Sequence, residues 1–251
     1  MHNNRWRHNL LPPILIMEDT YMNITPKNPD ETGRAYALRI LKQNITDTTL
    51  KPGSLLSENE LSKELGLSRV PVREALIELS KSDIVEILPQ RGSRVALIDL
   101  KLVDEAGFFR RTLECAVVRL VCEKSQNGSL PDEFLLSVKA NLNMQDFYIE
   151  NSAPDKLMEL DNEFHHLLFS CADKERCYRM CCDMGIHFDR IRTLALHAVK
   201  ELKIVNDHRE IFEAVCRGDA DTAEKLMSSH LTRFKIDEEL IKNQYPDYFS
   251  H

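Results

Sequence analysis

One aspartate and three histidines in the second half of the chain share the spacing of inward-facing helix residues. Asp161 and His165 are four apart, so both side chains leave one helix on the same side. Leu157, Phe164 and Leu168 lie on or beside that side and turn it toward a core. His208 precedes Ile211, Phe212 and Val215 at spacings of three, four and seven, and His230 shares a stripe with Ala223, Leu226, Met227 and Phe234. Burying such groups without partners costs on the order of several kcal/mol. A divalent metal held by one carboxylate and three imidazoles removes that cost. Taken singly, each histidine is better explained by a private hydrogen bond in the core; the four together favour the metal. His187, on a stripe with Met180, Met184 and Ile191, is a further candidate for the wall of such a pocket. His166 points about 100° away from His165 and is not counted as a ligand.

A second chemistry lies upstream. In residues 57–79 Ser68 and Arg69, followed by Arg73, open a short helix after a glycine turn at Gly66. Ser68 suits an N-cap, and Pro71 sits in the first turn, where a missing N–H costs little. Val72, Leu76 and Leu79 form the buried stripe of this helix, while Arg69 and Arg73 share another face. Leu61 and Leu65 make the apolar face of a preceding helix. Two arginines at the start of the second helix of such a pair suit guanine edges or phosphates. On the pattern alone, a solvated amphipathic hairpin with ordinary surface arginines stays open.

The elements that must position these groups follow from the flanking pattern. Ile84–Leu88 and Arg94–Ile98 read as strands around the turn Pro89-Gln90-Arg91-Gly92-Ser93. A tight hairpin directly after two helices makes a winged helix-turn-helix, with Arg91 and Gly92 at the wing tip. Helices are expected near 101–126, 130–151, 154–172, 174–198, 200–217 and 219–242, broken at Asn127-Gly128, Ser152–Pro154, Ala172-Asp173 and Gly218-Asp219. The fold class is therefore mainly α: an N-terminal winged helix-turn-helix and a C-terminal all-α bundle of six or seven helices. The expected boundaries are a flexible extension over 1–31, a DNA-binding domain over 32–98 and a helical ligand-binding and dimerisation domain over 99–251.

These residues resemble a known family. Leu55–Leu61, Leu65–Leu76 and Pro89–Ser93, with the Leu50–Gly53 turn, are similar to the N-terminal domain of GntR-superfamily bacterial transcription regulators. The resemblance implies base or phosphate contacts for Arg69 and Arg73, a phosphate contact for Ser68, and a minor-groove contact for Arg91 and Gly92. It implies a weaker phosphate contact for Arg39. Many members carry threonine where this chain has Val70. Residues 99 to about 235 resemble the FCD-type effector domain of the FadR branch, in Arg111–Glu114, Asp161–His165, His208–Ile211, Gly218-Asp219 and His230. That implies Asp161, His165, His208 and His230 as ligands of a divalent metal, zinc or nickel, beside a pocket for a small carboxylate. Arg111 is the expected carboxylate partner. Six helices rather than seven would point to the VanR subgroup.

Composition agrees. A chain of 251 residues suits two domains. No apolar stretch approaches the ~20 residues of a membrane span; Leu10–Met17 is short and interrupted by Pro12 and Pro13. The seven cysteines all follow residue 114 without a CxxC pair and read as reduced thiols, so the expected location is the cytoplasm. Residues 31–98 carry a net charge of +1 and residues 99–251 a net −8, within a total of −7. A weakly basic head on an acidic body suits a site-specific DNA binder that releases other DNA easily. An enzyme using a metal-activated water would need a base beside the cluster; Glu163 and Glu210, the local carboxylates, fall off the ligand face. A regulator whose helical domain only dimerises it is the third reading. The expectation is a metal-dependent regulator, not an enzyme, that binds a palindromic operator in double-stranded DNA as a homodimer. A sugar acid, hydroxy acid or dicarboxylate is the expected effector.

Overall fold

The computed structural model of the protein describes residues 22–151, 153–198 and 204–250. The head consists of α1 (Gly33–Thr46), β1 (Leu55–Leu56), α2 (Glu58–Glu64), α3 (Arg69–Ser80), β2 (Val85–Leu88) and β3 (Gly92–Val95). Its apolar stripes close on one another: Ile40, Leu41 and Ile45 of α1 meet Leu61 and Leu65, and both meet Val72, Leu76 and Leu79 of α3. Gly66 takes φ 64°, and the Leu67 N–H reaches back to the Ser62 carbonyl at 2.9 Å, which closes α2 and redirects the chain into α3.

The wing is an antiparallel sheet in the order β1-β3-β2. Glu86 stands opposite Arg94 and Leu88 opposite Gly92. Gly92 has φ 92° and lies where a Cβ would come 3.2 Å from the Leu56 carbonyl, so the turn and the close approach of β1 both ask for glycine. The second wing strand ends at Val95, not at Ile98 as expected. Ile98 instead joins the body. Its N–H donates to the Tyr248 carbonyl at 2.8 Å, its own carbonyl accepts from Ser250 at 3.0 Å, and its side chain is buried with Phe188, Ile191, Ile241 and Phe249.

The body carries α4 (Leu100–Gln126), α5 (Asp132–Glu150), α6 (Pro154–Cys171), α7 (Glu175–Met184), α8 (Ile186–Ala198), α9 (Ile204–Cys216), α10 (Ala220–Thr232), α11 (Phe234–Gln244) and a 3₁₀ turn at Pro246–Tyr248. Eight α-helices among the described residues replace the six or seven expected, because two long segments break. The first break is at Gly185, where a Cβ would sit 2.6 Å from the Cys181 carbonyl. The other is at Arg233, whose N–H bonds back only three residues, to His230. Asp99 caps α4 by accepting from the Lys101 N–H at 2.8 Å. At 27 residues, about 40 Å long, α4 runs through the bundle and packs against α6, α7, α8, α9 and α10.

Of the extension expected over 1–31, residues 1–21 lie outside the described residues. Residues 22–31 lie against α1 instead of forming a free arm. Met22 is buried in the head core, and its N–H reaches Glu64 at 3.2 Å. The buried Asn44 amide exchanges hydrogen bonds with Asn23, at 2.7 and 3.0 Å. A fully buried amide needs such partners.

Head and body share a seam along α8. Ile186 packs into the head core. His187 Nε2 lies 2.8 Å from the Ser82 carbonyl, and Arg190 donates to the Ala96 carbonyl at 2.7 Å. From the head, Lys42 donates to the Cys182 carbonyl at 3.1 Å and pairs with Asp183.

Candidate DNA interface and metal centre

On the head, the residues expected to meet DNA stay outside the core. Ser68 is the N-cap of α3, yet its hydroxyl makes no capping bond. An N-cap side chain accepts from the second or third helical N–H, and the third residue here, Pro71, has none to offer. The hydroxyl makes no capping bond to the remaining Val70 N–H either. Arg69 and Arg91 are exposed. Arg73 touches Glu58 of α2 at 3.1 Å through Nε while its side chain stays 69% exposed, a surface pair of small energy that leaves the rest of the fork outward. Arg39 departs from expectation. Its guanidinium is bound to both Glu31 oxygens at 2.8 and 2.9 Å, to the Thr25 hydroxyl at 2.6 Å and to the Pro26 carbonyl at 3.1 Å. It fastens residues 25–31 and has few donors left for a phosphate.

In the body, the structure brings Asp161 and His165 of α6 together with His208 of α9 and His230 of α10. His230 Nε2 stands 3.2 Å from His165 Nε2 and 3.2 Å from His208 Nε2. Asp161 Oδ1 is 3.4 Å from His208 Nε2 and 4.0 Å from His230 Nε2, and Oδ2 is 3.7 Å from His165 Nε2. One ligand atom from each of the four lies within 4.8 Å of the others. Phe164 stacks on His208 with ring centroids 4.1 Å apart and fixes its plane.

The opposite nitrogens decide the chemistry. His165 Nδ1 faces Glu114 of α4, His208 Nδ1 faces the Gln145 side-chain oxygen at 2.9 Å, and His230 Nδ1 faces Asp207 at 3.4 Å. Gln145 is oriented in turn by donating to Asn141 at 2.6 Å, and Asp207 by accepting from Arg233 Nε at 2.8 Å. Each acceptor selects the tautomer with hydrogen on Nδ1, so all three Nε2 lone pairs converge. Burial also keeps the rings neutral. It pushes His208 well below the usual imidazole range, lowers His165 against the opposing pull of Glu114, and takes His230 to about 4 despite Asp207. Three acceptor nitrogens and a carboxylate, crowded together without a proton to share, repel one another. A divalent cation is the species that such a donor set satisfies, and the oriented Nδ1 contacts are the outer supports that metal-bound imidazoles require. The residues fit a divalent metal ion.

Charged residues that sequence reasoning missed surround this cluster. Arg192 of α8 touches Asp161 Oδ2 and pairs with Asp189 at 2.9 Å; burial, with Arg110 nearby, holds its guanidinium well below the ordinary arginine range. Arg110 donates to Glu114 at 2.5 Å. Burial raises the Glu114 carboxyl, but Arg110 and His165 outweigh it and leave the group well below the usual carboxylate range. A charged pair such as Asp189 and Arg192, set among Phe188, Ile191 and Leu194, is the signal that could have revealed this network.

Two expected effector residues are placed elsewhere. Arg110 is the inward member of the Arg110-Arg111 pair; Arg111, one residue and about 100° around the helix, lines a surface groove with Asp221, Glu224 and Ser228. His187 points into the head–body seam. Glu163 accepts from Asn141 at 2.9 Å and Glu210 is exposed, so neither offers the cluster a base. His166 pairs with Glu175 away from it.

Residues 35–95 match the family described as bacterial regulatory proteins, gntR family, and residues 105–233 match the FCD domain. The chain is 32% identical over 227 residues to the HTH-type transcriptional repressor RspR of Escherichia coli K12, covering 90% of this chain and 97% of the relative. It is 32% identical to an HTH-type transcriptional regulator in an unstable DNA locus of Streptomyces ambofaciens, over 84% of this chain and 86% of the relative. In fold it is similar to E. coli McbR/YncC, with a TM-score of 0.71 at 18% identity over 85% of this chain and 99% of that one.

Proposed function

We propose that this chain, which belongs to the gntR family of bacterial regulatory proteins and carries an FCD domain, is a metal-dependent regulator that responds to a small carboxylate. As a family member it is a DNA-binding transcription regulator, and its relatives are regulators rather than enzymes. The observation that carries the metal reading is His230 Nε2 standing 3.2 Å from both His165 Nε2 and His208 Nε2, with the Nδ1 partners of all three rings being acceptors.

In this reading Asp161, His165, His208 and His230 hold zinc or nickel, which supplies a Lewis-acid position for an effector carboxylate. Arg192 then loses much of its hold on Asp161 and becomes the cation for that carboxylate, in place of Arg111. The coupling runs through α8. Arg192 and Asp189 face the cluster, while Ile186, His187 and Arg190 hold the head. Ile186 and Arg192 are six residues apart, about 9 Å along the helix, so a small displacement at one end is felt at the other. An effector shifts the head only by its differential affinity for the two arrangements. In the cytoplasm a homodimer would place two recognition helices in successive major grooves of a palindromic operator.

A thermal-shift screen of sugar acids, hydroxy acids and dicarboxylates, with and without EDTA, tests this. A stabilising acid whose effect vanishes with chelator is expected. Stabilisation that persists in EDTA would contradict the metal-borne site. Exchanging His208 and His230 together for alanine removes the metal while the head keeps its fold, read by metal content and circular dichroism.

A further inference from the structure

We propose that Val70 reads a thymine methyl group in the operator, and so sets part of the DNA sequence this regulator selects. The inference rests on the DNA-binding role of α3. Val70 is 65% exposed, whereas Val72, Ala75, Leu76 and Leu79 of the same helix are at most 3% exposed. Among the described residues nothing packs on Val70 so as to need an apolar, β-branched side chain there; an exposed helix position is better filled by a straight-chain residue.

Helical geometry aims it outward. At about 100° per residue, and with Arg69 at zero, Arg73 lies near 40°, Val70 near 100° and Glu74 near 140°, while the buried stripe centres near 290°. Val70 thus projects almost opposite the core, between the exposed Arg73 and Glu74. It is the second residue of α3, and the first residues of a recognition helix are those that reach base edges. Ile77, on a similar heading but 42% exposed, stands about 10 Å further along the helix, away from that end.

The side chain offers no donor and no acceptor, so the hydrogen-bonding edges of guanine, adenine and cytosine give it nothing to recognise. The apolar group on the major-groove floor is the thymine C5 methyl. Water leaves both surfaces when they meet, and Arg69 and Arg73, on the neighbouring face, hold the helix at that depth. A sugar or phosphate contact would use the valine without any sequence consequence.

The test uses the full chain and DNA enriched from a random duplex pool. In the enriched duplex each thymine is replaced singly by deoxyuridine, which keeps every hydrogen bond and deletes the methyl group. Binding is measured at one fixed salt concentration. For the wild type, one thymine position per half-site is expected to lose about fourfold on replacement, the worth of one buried methyl group. Val70→Ala, which removes no core contact, should fold with unchanged melting temperature, bind the thymine duplex about 16-fold more weakly because both half-sites lose the contact, and no longer distinguish thymine from deoxyuridine at that position. A wild type indifferent to every replacement, or a loss that persists in Val70→Ala, overturns the assignment. A pool that yields no enriched sequence overturns the DNA-binding reading itself, and this inference with it.

Discussion

The head and the body hold their functional charges in opposite ways. On α3 the arginines stand in water, with at most one weak partner, and the fold is indifferent to them. In the bundle Asp161, His165 and His208 are almost fully buried, and each functional group is held by another that is itself held. Surface charge costs the head little stability and waits for an external anion. Buried charge makes each group depend on the next for its partner, so the body cannot lose one partner cheaply. The same side-chain types therefore report on recognition in one half and on architecture in the other.

Glu114→Gln should break the contrast most strongly. The change leaves Arg110 buried beside a neutral amide and weakens the hold on His165 Nδ1. A loss of about 3 kcal/mol in folding free energy is expected, with metal affinity down by roughly 10- to 100-fold; denaturant unfolding and metal titration read the two. Loss of neither would mean that the carboxylate does not support the site. Arg192→Met should retain the metal, because Arg192 is no ligand, yet abolish the acid-induced thermal shift. A variant that still responds to the wild-type acid would return the carboxylate to another residue.

On the head, Arg69→Ala and Arg73→Ala should each weaken operator binding by at least ~1 kcal/mol while changing stability by less than about 0.5 kcal/mol. Equal losses in folding and binding would erase the distinction between the two regions. The smallest effect belongs to the seam. Burial lowers the His187 pKa, with the Ser82 carbonyl opposing. A lowered histidine pKa means that the unfolded chain takes up the proton first as pH falls below the ordinary imidazole range. His187 thus contributes stability above that range and loses it below. His187→Gln should lose less stability than the wild type between pH 7.5 and pH 5, about these two settings, as followed by denaturant midpoints; an identical pH dependence would place the sensitivity elsewhere.

How much of this was legible follows from the distance over which each feature is built. The winged helix lies within one contiguous stretch, and its caps, glycine turn and apolar stripes are all local, so Leu61, Leu65, Val72, Leu76 and Leu79 fell where their spacing placed them. The inward faces of α6, α9 and α10 were equally readable from periodicity. Glu114, Gln145 and Asp207 were not, because their partners are remote in sequence. Gln145 meets His208 across 63 residues and Asp207 meets His230 across 23, while Glu114 reaches His165 from a separate long helix. Which of Arg110 and Arg111 turns inward was unreadable for a related reason: adjacent residues on a helix diverge by about 100°, and only the packing of α4 decides it. The path of Ile98 depended on the far end of the chain, where Tyr248 and Ser250 meet it.

The most direct test of the account is the metal content of the full chain purified without chelator, compared with the His208→Ala, His230→Ala double variant. The expected result is about one zinc or nickel ion per chain bound through imidazole nitrogen, lost in the variant, with a melting temperature that falls when the wild type is stripped with EDTA and recovers when the ion returns. A wild type that carries no metal, takes up none when zinc or nickel is supplied, and melts unchanged in chelator would contradict it.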